Sequence, residues 1–274
     1  MKIALNGASG LIGEALQGYF EDLVLLGRNE TPLSLESKLQ GVDVLINLAG
    51  APISKRWSSA YQKVLWESRI ETTRALVKAL GRSSVRHFIS FSAVGIYPQE
   101  EECTETCAQR GKDFLARLCS QWEAEALHAN IPTAILRMGV VLAPRGGALA
   151  QMKRPFSWGL GGVLGDGSQK MSWIHIDDVV RLIDHIIQQK ATGIFNATAP
   201  HIVTNRYFTQ KLCALLGRRP FLALPKWALF ALMGKGAQVL LSSTHATPQA
   251  ALQSGFVFRF ASLDAALMDC VAQW

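Results

Sequence analysis

The stretch MKIALNGASGLIGEALQGYFEDLVLL, residues 1–26, decides the fold. Lys2–Asn6 is short and apolar, as a buried strand is. Gly7, Gly10 and Gly13 follow at intervals of three, and Leu11, Ile12, Ala15, Leu16, Tyr19 and Phe20 then recur at helical spacing. Asp22–Leu26 is a second apolar strand. The order is strand, glycine turn, helix, strand. Residues without a Cβ allow the tight turn, the first helical amides then face an anion, and Gly13 lets the helix pack closely on the strand. The motif points to nucleotide binding; a plain tight turn is the other reading of the same residues.

Working outward, Asp43–Leu48 is a third continuous apolar run. Helical patterns over 61–80, 113–128 and 177–189 alternate with strand patterns over 87–91, 133–137 and 193–197. Fully apolar strands alternating with helices predict a parallel sheet covered on both faces. From Pro200 onward the strand signal fades. The expected fold is α/β, a Rossmann-type doubly wound parallel sheet with a smaller, mostly helical C-terminal lobe. Residues 1–142 with 173–198 form the dinucleotide-binding domain, and 143–172 with 199–274 the lobe. Only one short helix, 33–40, fits between Arg28 and Val42, where a Rossmann unit usually holds another strand and helix. The glycine-rich GLGGVLGDGSQ, residues 159–169, predicts a mobile loop without regular structure. Arg145, Lys153, Arg154 and Lys170 flank it as a basic rim.

Composition removes several classes. The chain has 274 residues, 49% of them hydrophobic, too many for disorder. No apolar run reaches the roughly 18 residues of a membrane span. The N-terminus runs into a glycine loop without a small-residue cleavage site, so it does not read as a signal peptide. The net charge is +7, but the basic residues are scattered and Arg218-Arg219 is the only adjacent arginine pair. A nucleic-acid partner is therefore not expected, and an anionic small molecule is. Cysteines 103, 107, 119, 213 and 270 are an odd number in a chain that needs no staples; free thiols in a reducing cytoplasm and no metal site are expected.

The second strand ends at Gly27-Arg28, about where NAD sites place a carboxylate for the ribose 2′-hydroxyl. Arg28 suits a 2′-phosphate instead, through a charge-assisted contact. NADP(H) is the expected cofactor, with NAD(H) second. Asn47-Leu48-Ala49-Gly50 closes the third strand with small residues that let a ligand approach the backbone.

Taken together, GASGLIG (7–13), NLAGAPISKRW (47–57), SRIETT (68–73), SAVGIY (92–97), LRMGVVLAPRGGALAQM (136–152), SWIHIDD (172–178) and NATAP (196–200) resemble the extended short-chain dehydrogenase/reductase superfamily. They are most similar to its atypical sugar-nucleotide epimerase-like branch, and the resemblance covers nearly the whole chain. It implies an NADP(H) site in which Gly7, Ser9, Gly10, Leu11 and Ile12 form the phosphate loop. Arg28 becomes the basic residue after the second strand, and Leu48, Ala49 and Gly50 the wall beside the adenosine. Ser90, Ser92 and Met138 fall beside the nicotinamide.

The usual Tyr-x-x-x-Lys acid/base of the superfamily is absent from its helix. Leu115 and Cys119 fall at those positions, and Arg69 stands about where a supporting Asn is carried. The one Tyr-x-x-x-Lys match, Tyr207 to Lys211, lies in the C-terminal lobe and reads as coincidence. Ser92 and Tyr97 remain as candidate catalytic groups, and His175 reads as a structural hydrogen-bonding residue. Two functions stay open: an NADP(H)-dependent oxidoreductase or epimerase-like enzyme with a non-standard acid/base, and a catalytically silent NADPH-binding sensor or partner-binding protein.

Overall fold

The computed structural model describes residues 1–99 and 101–274, and the side chains of all of these except Phe221, Leu222 and Leu232. β1 (Ile3–Asn6) leads through the glycine turn into α1 (Leu11–Gln17), β2 (Leu23–Leu26), α2 (Pro32–Lys38) and β3 (Val44–Asn47). Next come α3 (Ser59–Leu80), β4 (His87–Ala93), β5 (Glu102–Cys103), α4 (Phe114–Leu127) and β6 (Thr133–Met138). Then follow β7 (Val140–Leu142), α5 (Gly147–Ser157), β8 (Gly162–Leu164), β9 (Lys170–Met171), β10 (Trp173–His175), α6 (Ile176–Gln188) and β11 (Gly193–Ala197). The last stretch holds β12 (Val203–Thr204), α7 (Asn205–Leu215), β13 (Phe221–Leu224), α8 (Lys226–Met233), α9 (Ala237–Leu241), β14 (His245–Ala246), α10 (Gln249–Gln253) and α11 (Leu263–Ala272).

Six strands form one parallel sheet in the order β11-β6-β4-β3-β1-β2. The chain steps outward from β1 to β2, then crosses back to place β3 on the other side of β1. The strand order reverses there, the switch point at which an open α/β sheet of this kind leaves a crevice for a ligand outside the carboxyl ends of its strands. The sheet stops at β2 because only α2 fits before β3, as the short 29–43 interval predicts.

Alternate side chains of each strand go to opposite faces. Ile3 and Leu5, Val44 and Ile46, Ile89 and Phe91, Ala134 and Leu136 join one core with Leu16 of α1 and Val179, Leu182 and Ile183 of α6. Ala4, Leu45, Phe88 and Ile135 join the other with α2 and the end of α3. Both faces are covered, which is why the strands read as unbroken apolar runs. Trp173, Phe156, Phe208, Leu212, Phe260 and Leu267 build a separate core from β10, α5, α7 and α11.

Helix starts follow their caps. Thr31 caps α2 with Pro32 in its first turn, Ser58 caps α3 and Asp113 caps α4, each side chain accepting a first-turn amide. The 159–169 segment departs from expectation. Gly162–Leu164 is a strand, β8, paired with β13, and the Leu164 amide donates to Asn205 Oδ1 at 2.9 Å. The pairing partner lies far along the chain, so local composition gives no sign of it. Among the described residues no helix is long and apolar enough to cross a membrane.

Candidate functional site

The glycine turn is tight for steric reasons. Gly7 has φ +88°, and a Cβ on it would lie 3.0 Å from the Leu48 carbonyl carbon and the Ala49 nitrogen. A Cβ on Gly13 would lie 2.5 Å from the Gly7 oxygen and 2.6 Å from the Ala8 oxygen. The turn therefore closes onto the end of β3, and α1 starts at Gly10 without a side-chain cap. Gly7, Ser9, Gly10, Leu11 and Ile12 thus stand beside Leu48, Ala49 and Gly50, with Ser9, Gly10 and Gly50 exposed. Gly10 would accept a Cβ with only the Gly7 oxygen near it, at 3.5 Å, which leaves open space over the turn. That space fits a phosphate held by backbone amides.

A buried polar relay ties the two strand ends together. Asn6 Nδ2 donates to Asn47 Oδ1 at 3.0 Å, and Asn47 Nδ2 and Trp122 Nε1 both donate to Thr73 Oγ1 at 2.9 Å. The Ala49 amide donates to Asn47 Oδ1 at 3.3 Å. The relay fixes the floor under the crevice, and sequence reasoning missed it. The signal was an Asn at the last residue of each of two apolar strands.

Arg28 follows β2 and is exposed. Glu30, the nearest carboxylate, is turned inward: it accepts from Lys38 Nζ at 2.5 Å, from the Ser34 hydroxyl and from the Gly27 amide at 2.8 Å. The Lys38 bond first, then Ser34 and Gly27, hold its carboxyl at about 2. Glu30 is thus committed to the turn, and Arg28 is the charged group left facing outward at this strand end.

Further along the sheet, Ser90 lies opposite Asn47, and Met138 opposite Ala93 and Ala197. The Ser90 hydroxyl is buried with no partner among the described residues. Ser92 and Tyr97 meet in one buried network. Ser92 Oγ donates to Glu123 Oε1 at 2.7 Å; Arg137 Nε and Nη2 donate to the two Glu123 oxygens at 2.8 and 2.7 Å. Arg137 Nη1 donates to Tyr97 Oη at 2.8 Å, and Tyr97 Oη donates to Asn196 Oδ1 at 2.8 Å. Arg137 has no exposed surface. Burial works against its charge, but the Glu123 carboxylate and Tyr97 outweigh it and raise its pKa. Burial also raises the Tyr97 phenol, in spite of Arg137. The pairing of Glu123 with Arg137 was the second omission from sequence; a Glu beside Trp122 and an Arg inside an apolar strand were the available hints.

The helix that should carry acid/base groups does not. Leu115 packs toward Gly95, and burial pushes the Cys119 thiol up to about 12. Tyr207 and Lys211 both bond Asp264 of α11 at the lobe surface, away from the crevice. His175 caps α6, accepting the Asp177 amide on Nδ1 at 3.2 Å with its ring 3.9 Å from that of Phe260. Asp177 sits in the first turn of α6, as the helical pattern over 177–189 predicts.

The basic rim divides. Lys153 stacks over Trp274. Lys170 bonds His245 Nδ1 at 3.0 Å and lines a cavity of about 350 Å³ with Lys226, Asp166 and Gln99. Gln99 also lines a cavity of about 620 Å³ whose charged walls are Glu101, Arg110, Lys112 and Asp113.

Comparison with known proteins places this geometry in a family. Residues 3–198 match the model described as the NAD dependent epimerase/dehydratase family, and 224–270 match a domain of unknown function. A chloroplastic epimerase family protein SDR39U1 homolog of Arabidopsis thaliana is 40% identical over 230 residues, 81% of this chain and 66% of that protein. The crystal structure of human epimerase family protein SDR39U1 with NADPH superposes with a TM-score of 0.92 at 32% identity, covering all of both chains. A nucleoside-diphosphate sugar epimerase from Corynebacterium glutamicum is 31% identical at a TM-score of 0.79, covering 99% of this chain and 58% of that one. The glycine cradle, the switch-point crevice and these matches agree: the chain belongs to the NAD dependent epimerase/dehydratase family.

Proposed function

We propose that the chain binds NADPH across the switch-point crevice and acts on a small anionic substrate of the nucleotide-sugar class. The observation that carries the cofactor reading is the pairing of an outward Arg28 with an inward, committed Glu30. The cradle from Gly7 to Ile12 would hold the diphosphate, Arg28 the 2′-phosphate, and Leu48, Ala49 and Gly50 the adenosine side. Ser90 and Met138 would stand beside the nicotinamide. Bound NADPH supplies hydride chemistry. Ser92 and Tyr97 serve the reaction end through the Glu123–Arg137 pair to which they are bonded, as positioning groups. Lys170 and Lys226 support an anionic substrate, as does the description of the Corynebacterium relative. The five free cysteines suit a reducing compartment such as the cytoplasm.

Calorimetric titration tests the cofactor reading. Wild type is expected to prefer NADPH over NADH, and Arg28→Ala to weaken NADPH by about ten- to a hundredfold, the worth of a charged hydrogen bond. Equal binding of both cofactors by wild type overturns it. One observation favours a second reading, a silent NADPH-binding protein: α4 offers Leu115 and Cys119 where acid/base groups would stand. Cofactor binding with no change of absorbance at 340 nm across a panel of nucleotide sugars would favour it.

A further inference from the structure

Arg69 is a cation without a counter-ion. It lies on α3, partly buried, and donates only to neutral acceptors: Nη2 to the Ala51 carbonyl at 3.1 Å, and Nη1 to the Leu65 carbonyl at 3.3 Å and the Ser68 hydroxyl at 3.4 Å. Its guanidinium lies over the Trp122 ring, 5.2 Å from the centroid. Among the described residues no carboxylate pairs with it, whereas Arg137, the other arginine held inside this end of the fold, is matched by Glu123. Burial pushes the Arg69 pKa down, and only Cys119 and Tyr61 oppose that. Taking a guanidinium out of water without an anion is costly, so a fold that keeps one there holds it for a ligand.

Its position says which ligand. A Cβ on Gly50 would lie 2.8 Å from Arg69 Cζ and Nη2, so the guanidinium fills the space that glycine leaves at the end of β3. Gly50 follows Ala49, on which the Gly7 turn closes. On its other side the guanidinium lies over Trp122 of α4, one turn past Cys119, which packs with Ala93 and Val94 at the end of β4. The charge therefore stands over the adjoining ends of β3 and β4, beside the phosphate cradle. Cys119 is also the position at which the superfamily resemblance calls for a lysine.

We propose that Arg69 is an anion-binding residue of the crevice, taking a phosphate or carboxylate oxygen through its free guanidinium edge. It supplies from α3 the positive charge that α4 lacks. This rests on the cofactor reading above. The anion has two sources with one chemistry, the cofactor's own diphosphate or an anionic second ligand bound beside it.

Calorimetry on the full chain separates them, with wild type, Arg69→Met and Arg69→Lys. NADPH reads the whole cofactor. Adenosine 2′,5′-bisphosphate reads the adenosine half alone, and inorganic phosphate titrated into NADPH-loaded protein reads a second anion. If the cofactor is the source, Arg69→Met weakens NADPH by about tenfold or more and leaves the bisphosphate unchanged, with Arg69→Lys between. If a second ligand is the source, NADPH affinity holds and phosphate binds loaded wild type but not loaded Arg69→Met. In both cases Arg69→Met melts at or above the wild-type temperature, because an unpaired charge has been removed. Unchanged NADPH and phosphate binding overturns the proposal, as does parallel weakening of NADPH and the bisphosphate. A melting temperature several degrees lower with unchanged ligand affinities makes Arg69 purely structural. Wild type that binds no NADPH sinks the cofactor reading instead, and phosphate titrated into the unloaded variants then still reports on Arg69.

Discussion

Replacing Glu123 by methionine strands a cation in the interior. Arg137 is fully buried, and two of its nitrogens bond the Glu123 carboxylate at 2.8 and 2.7 Å. Removing one partner of such a pair costs about 3–5 kcal/mol, since the survivor keeps its desolvation penalty and loses its compensation. Ser92 donates to the same carboxylate and loses its acceptor, adding about 1 kcal/mol. Replacing both Glu123 and Arg137 by methionine removes both charges and is expected to recover most of the loss, leaving a deficit of under about 2 kcal/mol. Urea unfolding followed by fluorescence of the seven tryptophans, applied to Glu123→Met, Arg137→Met and the double variant, gives the coupling energy of the cycle. A single-variant loss below about 1 kcal/mol, or a double variant as unstable as the two singles added together, would refute the assignment of this pair as mutually dependent.

Three further outcomes are expected. Gly13→Ala places a methyl 2.5 Å from the Gly7 carbonyl oxygen, so the cradle must open; NADPH binding should fall at least about tenfold, and normal affinity in a titration counts against the cradle. Glu30 has a folded pKa near 2, below its ordinary 4.5, chiefly through Lys38. Its contribution to stability is therefore complete above about pH 4.5 and disappears as pH falls toward 2. The melting-temperature gap between wild type and Glu30→Gln should narrow over that window, and a constant gap contradicts it. Tyr97→Phe leaves an Arg137 donor and an Asn196 acceptor unpaired, worth about 1–3 kcal/mol of stability. A positioning role predicts a modest loss of any turnover found, whereas a drop of about 10²–10⁴ with unchanged stability would make Tyr97 the proton donor.

The central sheet was readable because its inner strands, β1, β3, β4 and β6, are buried on both faces and so leave unbroken apolar runs. The absence of a further strand and helix between Arg28 and Val42 was readable from chain length alone. The lobe was less so. Its two- and three-residue strands β8, β9, β12 and β14 exist only through partners distant in sequence, and local composition carries no trace of such pairing. The cradle residues were readable because steric need restricts their positions to glycine. Glu123–Arg137 and Asn6–Asn47–Thr73–Trp122 were not, because a polar contact across the fold is a property of two distant positions together. Arg69 stood out in the sequence only as a substitute for an expected Asn; that it lacks a counter-ion required the structure.

The sheet that stops at β2 has a consequence outside the crevice. Among the described residues Leu23–Leu26 has no strand on its outer side, and Leu25 is 44% exposed, so the sheet ends there on an unpaired edge beside an apolar side chain. Such an edge invites a second chain to add a strand. The strand is only four residues long, and Glu21, Asp22 and Arg28 bracket it with charge of both signs. Removing one of those charges in Arg28→Ala is expected to raise self-association at high concentration, read by light scattering.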